Sequence, residues 1–362
     1  MDRRTILKGL AASPFLGMGS AKALVLPDGP LAAALASSGA PAVGGAVFTA
    51  TETLVLGVLG ERRAGSGDPV LAADPWHIGS NTKAMTAAVY QGLVEQGHIA
   101  EGATLAELFP DIAVDAALAD LTADDLSGHV AGLRDAEVIG RAWLMTARQD
   151  TRSMPEQRAE LTARVLGAPP AGEVGAFSYA NINFIVQGAA IEQATGMAWE
   201  DVIRAELFDP LGMSSAGFGA PADPAPWGHR GAQGIAPGLN ADNPPALGPA
   251  GTVHLNLADY GKWLQAILAG GSGRLSARTV EEMTEPPAEG ETYRRGWGLI
   301  ASRGWARGHV LVHEGSNTMW HAAVILAPVR GVALVTVSNS EPEGQQATQE
   351  LMLTLRQTYV PD

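Results

Sequence analysis

Hydrophobic and polar positions along the chain predict strands near both ends and helices between them. Residues 43–48 and 53–59 are two apolar runs rich in branched side chains, and the tight turn between them predicts a hairpin. Late in the chain, similar runs predict strands at residues 297–302, 310–313, 322–326 and 332–337. A turn with proline and glycine joins the last two runs as a second hairpin.

In the middle of the chain, apolar residues recur at helical spacing. Met85, Ala88, Val89 and Leu93 mark one helix over residues 80–96, and a glycine at position 97 ends it. The same reasoning predicts helices at residues 136–146, 156–166, 182–195, 199–208, 257–268 and 346–359. Residues 214–251 are rich in proline, glycine and alanine with little periodicity, which predicts a long loop that forms the wall or lid of a site.

These elements predict an α/β (α+β) fold. An antiparallel sheet is built from both chain ends and flanked by helices, and a mostly helical lobe of about residues 90–250 is inserted between the two ends. The chain has 362 residues, of which 46% are hydrophobic and 17% charged. This composition is typical of globular proteins, and the chain is long enough to bury a large core.

Residues 1–23 have the pattern of an export signal. Arg3 and Arg4 precede a short apolar stretch that ends in Ala-Lys-Ala, and the pattern resembles a twin-arginine signal. It predicts cleavage before Leu24, a mature domain of residues 24–362, and a periplasmic or secreted location in a bacterium. The alternative is an amphipathic N-terminal helix. After this segment, no apolar run is long enough to span a bilayer.

Charge and composition exclude several kinds of function. The formal charge is −14 and no basic patch interrupts it, which argues against binding to nucleic acid or to an anionic membrane. The chain has no cysteine, so it can form neither a thiolate nucleophile nor a disulfide. Lysine is scarce: two of the four lysines lie in the predicted signal, and the others are Lys83 and Lys262. A surface cation in this chain is usually arginine, which favours a chemical role for Lys83.

The first candidate motif is Ser80-Asn-Thr-Lys83, at the start of a predicted helix. Residues three apart lie on one helical face, so the hydroxyl and the amine should be neighbours. A serine needs a base to act as a nucleophile, and a buried lysine with a lowered pKa can act as a base or a proton relay. The helix start also offers N–H groups to an oxyanion. The alternative is a helix cap followed by a solvated lysine.

The second and third motifs contribute further polar groups. Tyr179 and Asn181 precede a long predicted helix, where the phenol could be a general base and the amide could contact both the lysine and a substrate. Their alternative roles are packing and N-capping. His313-Glu-Gly315 ends a predicted strand, with a glycine where backbone must approach closely, and the N–H of Ser316 follows. The alternative is a strand end with a solvated histidine.

Together the three motifs resemble the serine β-lactamase and penicillin-binding-protein superfamily, and the class C β-lactamase-like branch of esterases and D-peptidases in particular. Segments 129–133, 209–213, 249–253, 296–299 and 322–337 are similar to further segments of that superfamily. The resemblance implies that Ser80 is the acyl-accepting nucleophile, Lys83 its proton partner and Tyr179 the base. Substrate-binding residues would be Asn181, His313, Gly315 and Ser316, with the N–H groups of Ser80 and Ser316 as the oxyanion hole. Apart from the resemblance, candidate aromatic residues of the pocket are Trp227, Trp297 and Trp320, and the alternative is that each is structural.

The third motif departs from the pattern of true β-lactamases, which read Lys-Thr-Gly where this chain has His313-Glu-Gly315. A neutral histidine binds a substrate carboxylate less well than lysine, and Glu314 repels one. The sequence therefore predicts a serine hydrolase that needs no cofactor or metal and acts on a small ester or amide, with a carboxylesterase as first choice. The alternatives are a D-amino-acid peptidase, carboxypeptidase or β-lactamase, and a non-catalytic binding protein of the same fold.

Overall fold

The computed structural model describes residues 24–362, and the predicted export signal lies outside them. In chain order the strands are β1 (Leu24–Val25), β2 (Ala42–Thr49), β3 (Thr53–Gly60), β4 (Trp76–His77), β5 (Gly217–Phe218), β6 (Gly228–Arg230), β7 (Gln233–Ile235), β8 (Val253–Leu255), β9 (Tyr293–Arg294), β10 (Trp297–Arg303), β11 (Gly308–Ser316), β12 (His321–Ala327), β13 (Val332–Ser338) and β14 (Ser340–Glu341).

The α-helices over the same residues are α1 (Asp28–Ser38), α2 (Thr82–Glu95), α3 (Leu105–Leu108), α4 (Ala123–Ser127), α5 (Arg141–Thr146), α6 (Met154–Leu166), α7 (Ile182–Thr195), α8 (Trp199–Ile203), α9 (Asp209–Leu211), α10 (Gly248–Gly251), α11 (Leu257–Leu268), α12 (Ala277–Thr284) and α13 (Glu343–Tyr359). Short 3₁₀ turns connect several of them, among them Gly79–Asn81 and Asp135–Glu137.

Both chain ends build one large sheet, in the order β1-β3-β2-β13-β12-β11-β10-β9. Strand β1 runs parallel to β3, and the other neighbours are antiparallel. Strand β2 from the start of the chain pairs with β13 near its end, with Val43 opposite Ser338. The predicted fold class and the two predicted hairpins are therefore confirmed.

The sheet separates two hydrophobic cores. Helices α1 and α13 cover one face, where Leu31, Leu351 and Leu355 are fully buried among apolar side chains of β2 and β13. The larger core lies on the other face, between the sheet and the helices from α2 to α12. Burial of these apolar surfaces is the main favourable contribution to folding, and it fixes the helices that carry the polar motifs against the sheet.

The predicted helix at residues 80–96 is wrong at its start. Gly79 adopts a left-handed φ of 51°, Gly79–Asn81 forms a 3₁₀ turn, and α2 begins only at Thr82. The predicted helix at residues 136–146 is also broken, because Gly140 is extended and α5 begins after it. Glycine permits these conformations at low steric cost, and a count of apolar positions does not register them.

The prediction that residues 214–251 form a loop is only partly right. Strands β5, β6 and β7 and helix α10 lie within them. Strand β5 pairs with β8, and β6 pairs with β14 near the end of the chain. Helices α1 and α12 were not predicted. Such short elements are stabilised by distant partners, so local periodicity does not reveal them.

Within residues 24–362, no helix combines the length and the apolar content that a bilayer span requires.

Candidate active site

The three polar motifs meet where the end of β11 crosses the turn before α2. A Cβ added to Gly315 would lie 2.0 Å from the carbonyl oxygen of Ile78 and 2.7 Å from the backbone nitrogen of Ser80. A Cβ on Gly79 would lie 2.5 Å from the backbone nitrogen of Ser316. Both positions therefore require glycine, because the strand and the turn are in direct backbone contact. This contact brings the backbone of Ser316 against the turn that contains Ser80.

Replacing Gly315 with alanine is expected to disturb this contact. Because Cβ would overlap backbone atoms that cannot rotate away, we expect a loss of about 1–3 kcal/mol in the free energy of unfolding and a fall of at least about tenfold in kcat/KM. Thermal unfolding and initial hydrolysis rates measure the two effects. Gly304→Ala is the control, since a Cβ there meets no atom within 4 Å. A Gly315→Ala protein with the wild-type hydrolysis rate and thermal unfolding midpoint would contradict the close contact between β11 and the turn before α2.

Lys83 lies at the centre of the site and is fully buried. Its Nζ is 3.0 Å from Oγ of Ser80, 2.8 Å from Oδ1 of Asn181 and 2.7 Å from the carbonyl oxygen of Ala250. The last two partners can only accept a hydrogen bond. A neutral amine has two N–H donors and one lone pair. If it donates to these two acceptors, the lone pair is left for the hydroxyl of Ser80, which is the arrangement a base requires.

Burial lowers the pKa of Lys83 from its usual value to about 7, while the negative charge of Asp135 acts in the opposite direction. The surroundings of Nζ are aromatic, with the ring of Tyr179 centred 4.9 Å away and that of Phe184 5.7 Å away. A substantial fraction of Lys83 is thus neutral near pH 7. The prediction of a buried lysine next to Ser80 agrees with this geometry, and the alternative of a solvated lysine does not.

Asn181 is held from both sides of its amide. Oδ1 accepts a hydrogen bond from Lys83, and Nδ2 donates to Oδ2 of Asp135 at 2.9 Å. The other oxygen of Asp135 accepts the backbone N–H of Ile182, the first residue of α7, at 2.9 Å. Asn181 itself makes no capping bond with its side chain. Asp135 takes that role, and it fixes the amide that orients Lys83.

Tyr179 stands beside Lys83, with its side chain partly exposed. Its ring packs on that of His129, with centroids 4.4 Å apart. Although Tyr179 is 43% exposed, loss of solvent among the groups packed around it raises its pKa to about 12, and a hydrogen bond with Ser80 opposes part of this rise. The phenol is therefore protonated at neutral pH. In this state it can donate a proton or a hydrogen bond more readily than it can remove a proton.

His313 is buried in the sheet between β10 and β12, so it is not the solvated residue of the alternative. Its Nε2 lies 2.7 Å from the hydroxyl of Tyr293, and burial lowers the pKa of His313 to about 3. Glu314 contacts Gln349 of α13 instead, at 3.1 Å. The third motif therefore presents a neutral imidazole, with a phenol beside it.

His129 is a second buried imidazole next to the site. It has a φ of 58°, and its Nδ1 accepts the N–H of Ala180 at 3.3 Å. Burial lowers the pKa of His129 to about 3. His129 therefore links its own segment to the one that carries Tyr179 and Asn181, and it adds no charge to the site.

The candidate aromatic residues differ in their surroundings. Trp297 and Trp320 are each only 1% exposed, and Trp320 lies against the imidazole of His77, with ring centroids 5.7 Å apart. Trp320 thus packs as a core side chain. Sequence reasoning assigned no role to Asp135, Ala250, Tyr293 or His77. Ala250 lies within the segment 249–253 and Asp135 lies two residues after the segment 129–133, so both had a local signal. His77 and Tyr293 have none.

Among residues 24–362, no group of three or more histidine and acidic side chains has the arrangement needed to hold a metal ion.

A family model described as Beta-lactamase matches residues 17–358. The chain belongs to the β-lactamase family of serine hydrolases. The resemblance drawn from the motifs is therefore confirmed at the level of the family, and residues 17–358 include all three motifs.

Individual relatives are more distant. An unguisins hydrolase of Aspergillus campestris is 27% identical over an alignment of 293 residues, and the match covers 73% of this chain and 52% of that protein. The chain thus spans about half the length of such curated relatives. Among solved structures, the D-amino acid amidase of Ochrobactrum anthropi has a TM-score of 0.72 at 20% identity, over 92% of this chain and 97% of that one. The octameric penicillin-binding protein homologue of Pyrococcus abyssi has a TM-score of 0.72 at 20% identity, over 91% of this chain and 77% of that one.

Proposed function

We propose that this chain is a serine hydrolase that forms a covalent acyl-enzyme on Ser80 and acts preferentially on carboxylic esters. The observation that carries the proposal is the bonding of Lys83. Its amine contacts the hydroxyl of Ser80 at 3.0 Å, while its other two partners, Asn181 and the carbonyl of Ala250, can only accept. The neutral amine is thereby directed to remove the proton of Ser80.

In the acylation step, Oγ of Ser80 attacks the acyl carbon of the substrate while its proton moves to Nζ of Lys83. The C–O bond to the leaving alcohol then breaks, and the proton held by Lys83 goes to that alcohol, directly or through the hydroxyl of Tyr179. In the second step water attacks the acyl-enzyme and loses a proton to the neutral amine of Lys83. That proton returns to Oγ of Ser80 as its bond to the acyl carbon breaks and the acid is released. The N–H groups of Ser80 and Ser316 would stabilise the oxyanion, and the close backbone contact at Gly79 and Gly315 supports this role.

The assignment of the base differs from the one implied by family resemblance. The resemblance gives this role to Tyr179, but a phenol with a pKa of about 12 is a poor base at neutral pH. Lys83, with a pKa of about 7, is far better matched to the task. In our proposal Lys83 is the base and Tyr179 is a neutral donor near the leaving group.

The third motif supports a substrate without a carboxylate. His313 is neutral and bonded to Tyr293, so the motif offers no cation to a substrate carboxylate. The expected repulsion by Glu314 is not supported, because Glu314 contacts Gln349 of α13 on the other face of the sheet. An uncharged or cationic acyl group suits such a site better.

Amide hydrolysis is the second candidate, because the names of two similar proteins point to it. These are a D-amino acid amidase and a D-stereospecific amidohydrolase from Streptomyces. An amine leaving group must be protonated before it departs, and the protonated Tyr179 or Lys83 could supply that proton. A non-catalytic binding protein is the third candidate, and the intact contacts of Ser80, Lys83 and Asn181 argue against it.

The proposal is tested by initial rates of the purified protein on p-nitrophenyl butyrate, D-phenylalanine amide and a chromogenic cephalosporin. The ester should be turned over faster than the cephalosporin by at least about tenfold, because a charge-assisted contact to the cephalosporin carboxylate is missing. Amide turnover equal to that of the ester would favour the second candidate. Cephalosporin turnover equal to that of the ester would overturn the argument from His313. No turnover of any of the three substrates would favour a binding protein.

A further inference from the structure

A second buried polar cluster lies beside the predicted oxyanion hole, and no catalytic step described above uses it. It consists of His77, Asp242 and Asn317, each at most 3% exposed. Asp242 comes from the 214–251 segment, His77 lies two residues before Gly79 in the turn with Ser80, and Asn317 immediately follows Ser316. The three residues therefore connect three separate parts of the chain at the site.

One side of the cluster holds the turn before Ser80. Nδ1 of His77 accepts the backbone N–H of Gly79 at 3.1 Å, so the imidazole proton lies on Nε2. This Nε2 is 2.9 Å from Oδ1 of Asp242. The N–H does not point straight at the oxygen, so the contact is chiefly electrostatic. Asp242 thus acts through His77 on Gly79, the residue in the left-handed conformation.

The other side of the cluster holds the end of β11. Nδ2 of Asn317 donates to Oδ1 of Asp242 at 2.8 Å. Oδ1 of Asn317 accepts the backbone N–H groups of Met319 at 3.1 Å and Trp320 at 3.2 Å. The amide of Asn317 therefore shapes the backbone directly after Ser316, and its own position depends on Asp242. Trp320 completes this side by packing on His77.

Asp242 is itself held firmly. The guanidinium of Arg148 donates to the backbone carbonyl of Asp242 from Nη2 at 2.7 Å and to that of Leu239 from Nε at 3.0 Å. The backbone N–H of Asn243 contacts Oδ1 of Asp242 at 2.6 Å. Oδ1 of Asp242 thus accepts hydrogen bonds from Asn317 and Asn243 and lies in contact with His77, and the backbone of Asp242 is fixed by Arg148. Asp242 is built as an anchor and is not a mobile surface group.

We propose that Asp242 is a positioning residue that fixes the two halves of the oxyanion hole, through His77 on the Ser80 side and through Asn317 on the Ser316 side. This inference rests on the proposed function of Ser80. A donor that is displaced from the developing oxyanion loses most of its effect on the transition state and little of its effect on ground-state binding. Loss of Asp242 should therefore lower kcat and leave KM nearly unchanged.

The experiment compares Asp242→Ala and Asp242→Asn with wild type on p-nitrophenyl butyrate, and measures the inhibition constant of phenylboronic acid. This acid forms an adduct with serine that places a boronate oxygen in the oxyanion hole. For Asp242→Ala we expect kcat to fall about 100-fold and KM to change less than about threefold. The inhibition constant of phenylboronic acid should rise in proportion to the fall in kcat. For Asp242→Asn we expect a loss of about tenfold, because the amide oxygen still accepts but carries no charge.

The control is Asp223→Ala, since Asp223 lies in the same segment but is exposed and accepts a hydrogen bond from the indole N–H of Trp227 at 2.6 Å. Wild-type kcat and boronate affinity in Asp242→Ala would overturn the proposal. A rise in KM with unchanged kcat in Asp242→Ala would also overturn it, because that pattern indicates a role in substrate binding. If Asp242→Ala does not fold, Asp242→Asn decides by the same measurements, and an unchanged kcat there overturns the proposal.

The two proposals fail in different ways. If Ser80→Ala hydrolyses the ester as fast as wild type, the proposed function is wrong and the Asp242 variants have no bearing on it. If ester hydrolysis depends on Ser80 while both Asp242 variants keep wild-type kcat, only the positioning role of Asp242 is wrong.

Discussion

Replacement of Ser80 with alanine is expected to lower kcat for p-nitrophenyl butyrate by at least about 10⁴-fold, because no acyl-enzyme can form without the hydroxyl. The fold should be unaffected, since the side chain of Ser80 is small and its polar contacts are with Lys83 and Tyr179 of the site itself. Initial rates measure the first effect. Intact-mass spectra of the protein quenched during turnover should show an added butyryl group in wild type and none in the variant.

The matched control is Ser214→Ala, which removes an exposed hydroxyl from the 214–251 segment. This variant should keep the wild-type rate and acquire the butyryl group. If the Ser80→Ala protein retains more than about a hundredth of wild-type activity, the nucleophile lies elsewhere and the proposal is wrong. A butyryl group that is found on another residue in wild type would lead to the same conclusion.

The sequence predicts the parts of this site that depend on local spacing. Ser80 and Lys83 are three residues apart, and the structure brings their polar atoms to 3.0 Å. The paired strands at the two chain ends were predictable for a similar reason, because apolar runs mark strands of a buried sheet. Even here the start of α2 is shifted, since the turn at Gly79 depends on its contact with β11 and not on the local residue pattern.

The sequence does not predict partners that are distant along the chain. The carbonyl of Ala250, which orients Lys83, comes from 167 residues further on, and Asp135 reaches Asn181 across 46 residues. The neutral state of His313 was expected from the residue type alone, but its physical cause is burial beside Tyr293, which only the folded chain reveals. Chemical identity can be read locally, whereas pKa values and bonding depend on tertiary packing.

Lys83→Met is the second decisive variant, and we expect it to lower kcat/KM by about 10³-fold. Methionine keeps most of the apolar volume but has no lone pair on nitrogen for the proton of Ser80. General base catalysis typically contributes 10²–10⁴-fold, and Lys83 also returns the proton to the leaving group. Lys262→Met is the control. Lys262 is the other lysine of residues 24–362, it is partly exposed, and it pairs with Asp259 at 2.7 Å.

The pH dependence tests the same assignment independently. Because the pKa of Lys83 is lowered to about 7, wild-type kcat/KM should rise as pH increases through about 7 and then level off. His129 and His313 add no inflection near neutral pH, since burial holds both pKa values at about 3. In Lys83→Met the inflection near pH 7 should be absent from the residual activity.

Tyr179→Phe separates the two candidate bases. If Lys83 is the base, this variant should lose only the part of the rate that comes from a neutral donor, about 10–100-fold, and should keep the inflection near pH 7. If Tyr179 were the base, Tyr179→Phe would abolish activity and Lys83→Met would keep a measurable pH-dependent rate. The pKa of about 12 for Tyr179 argues for the first outcome.

Stability gives the last check on Lys83, and its sign follows from the lowered pKa. Folding favours the neutral amine of Lys83. Below about pH 7 the amine is charged in both the folded and the unfolded protein, so there it destabilises the wild-type fold. The penalty disappears as pH rises toward the pKa of an unfolded lysine. Lys83→Met should therefore unfold at a temperature equal to or above that of wild type at pH 6, with the difference shrinking by pH 9. An inactive variant that is also less stable at pH 6 would mean that Lys83 contributes chiefly to the fold, and the base would have to be sought in Tyr179.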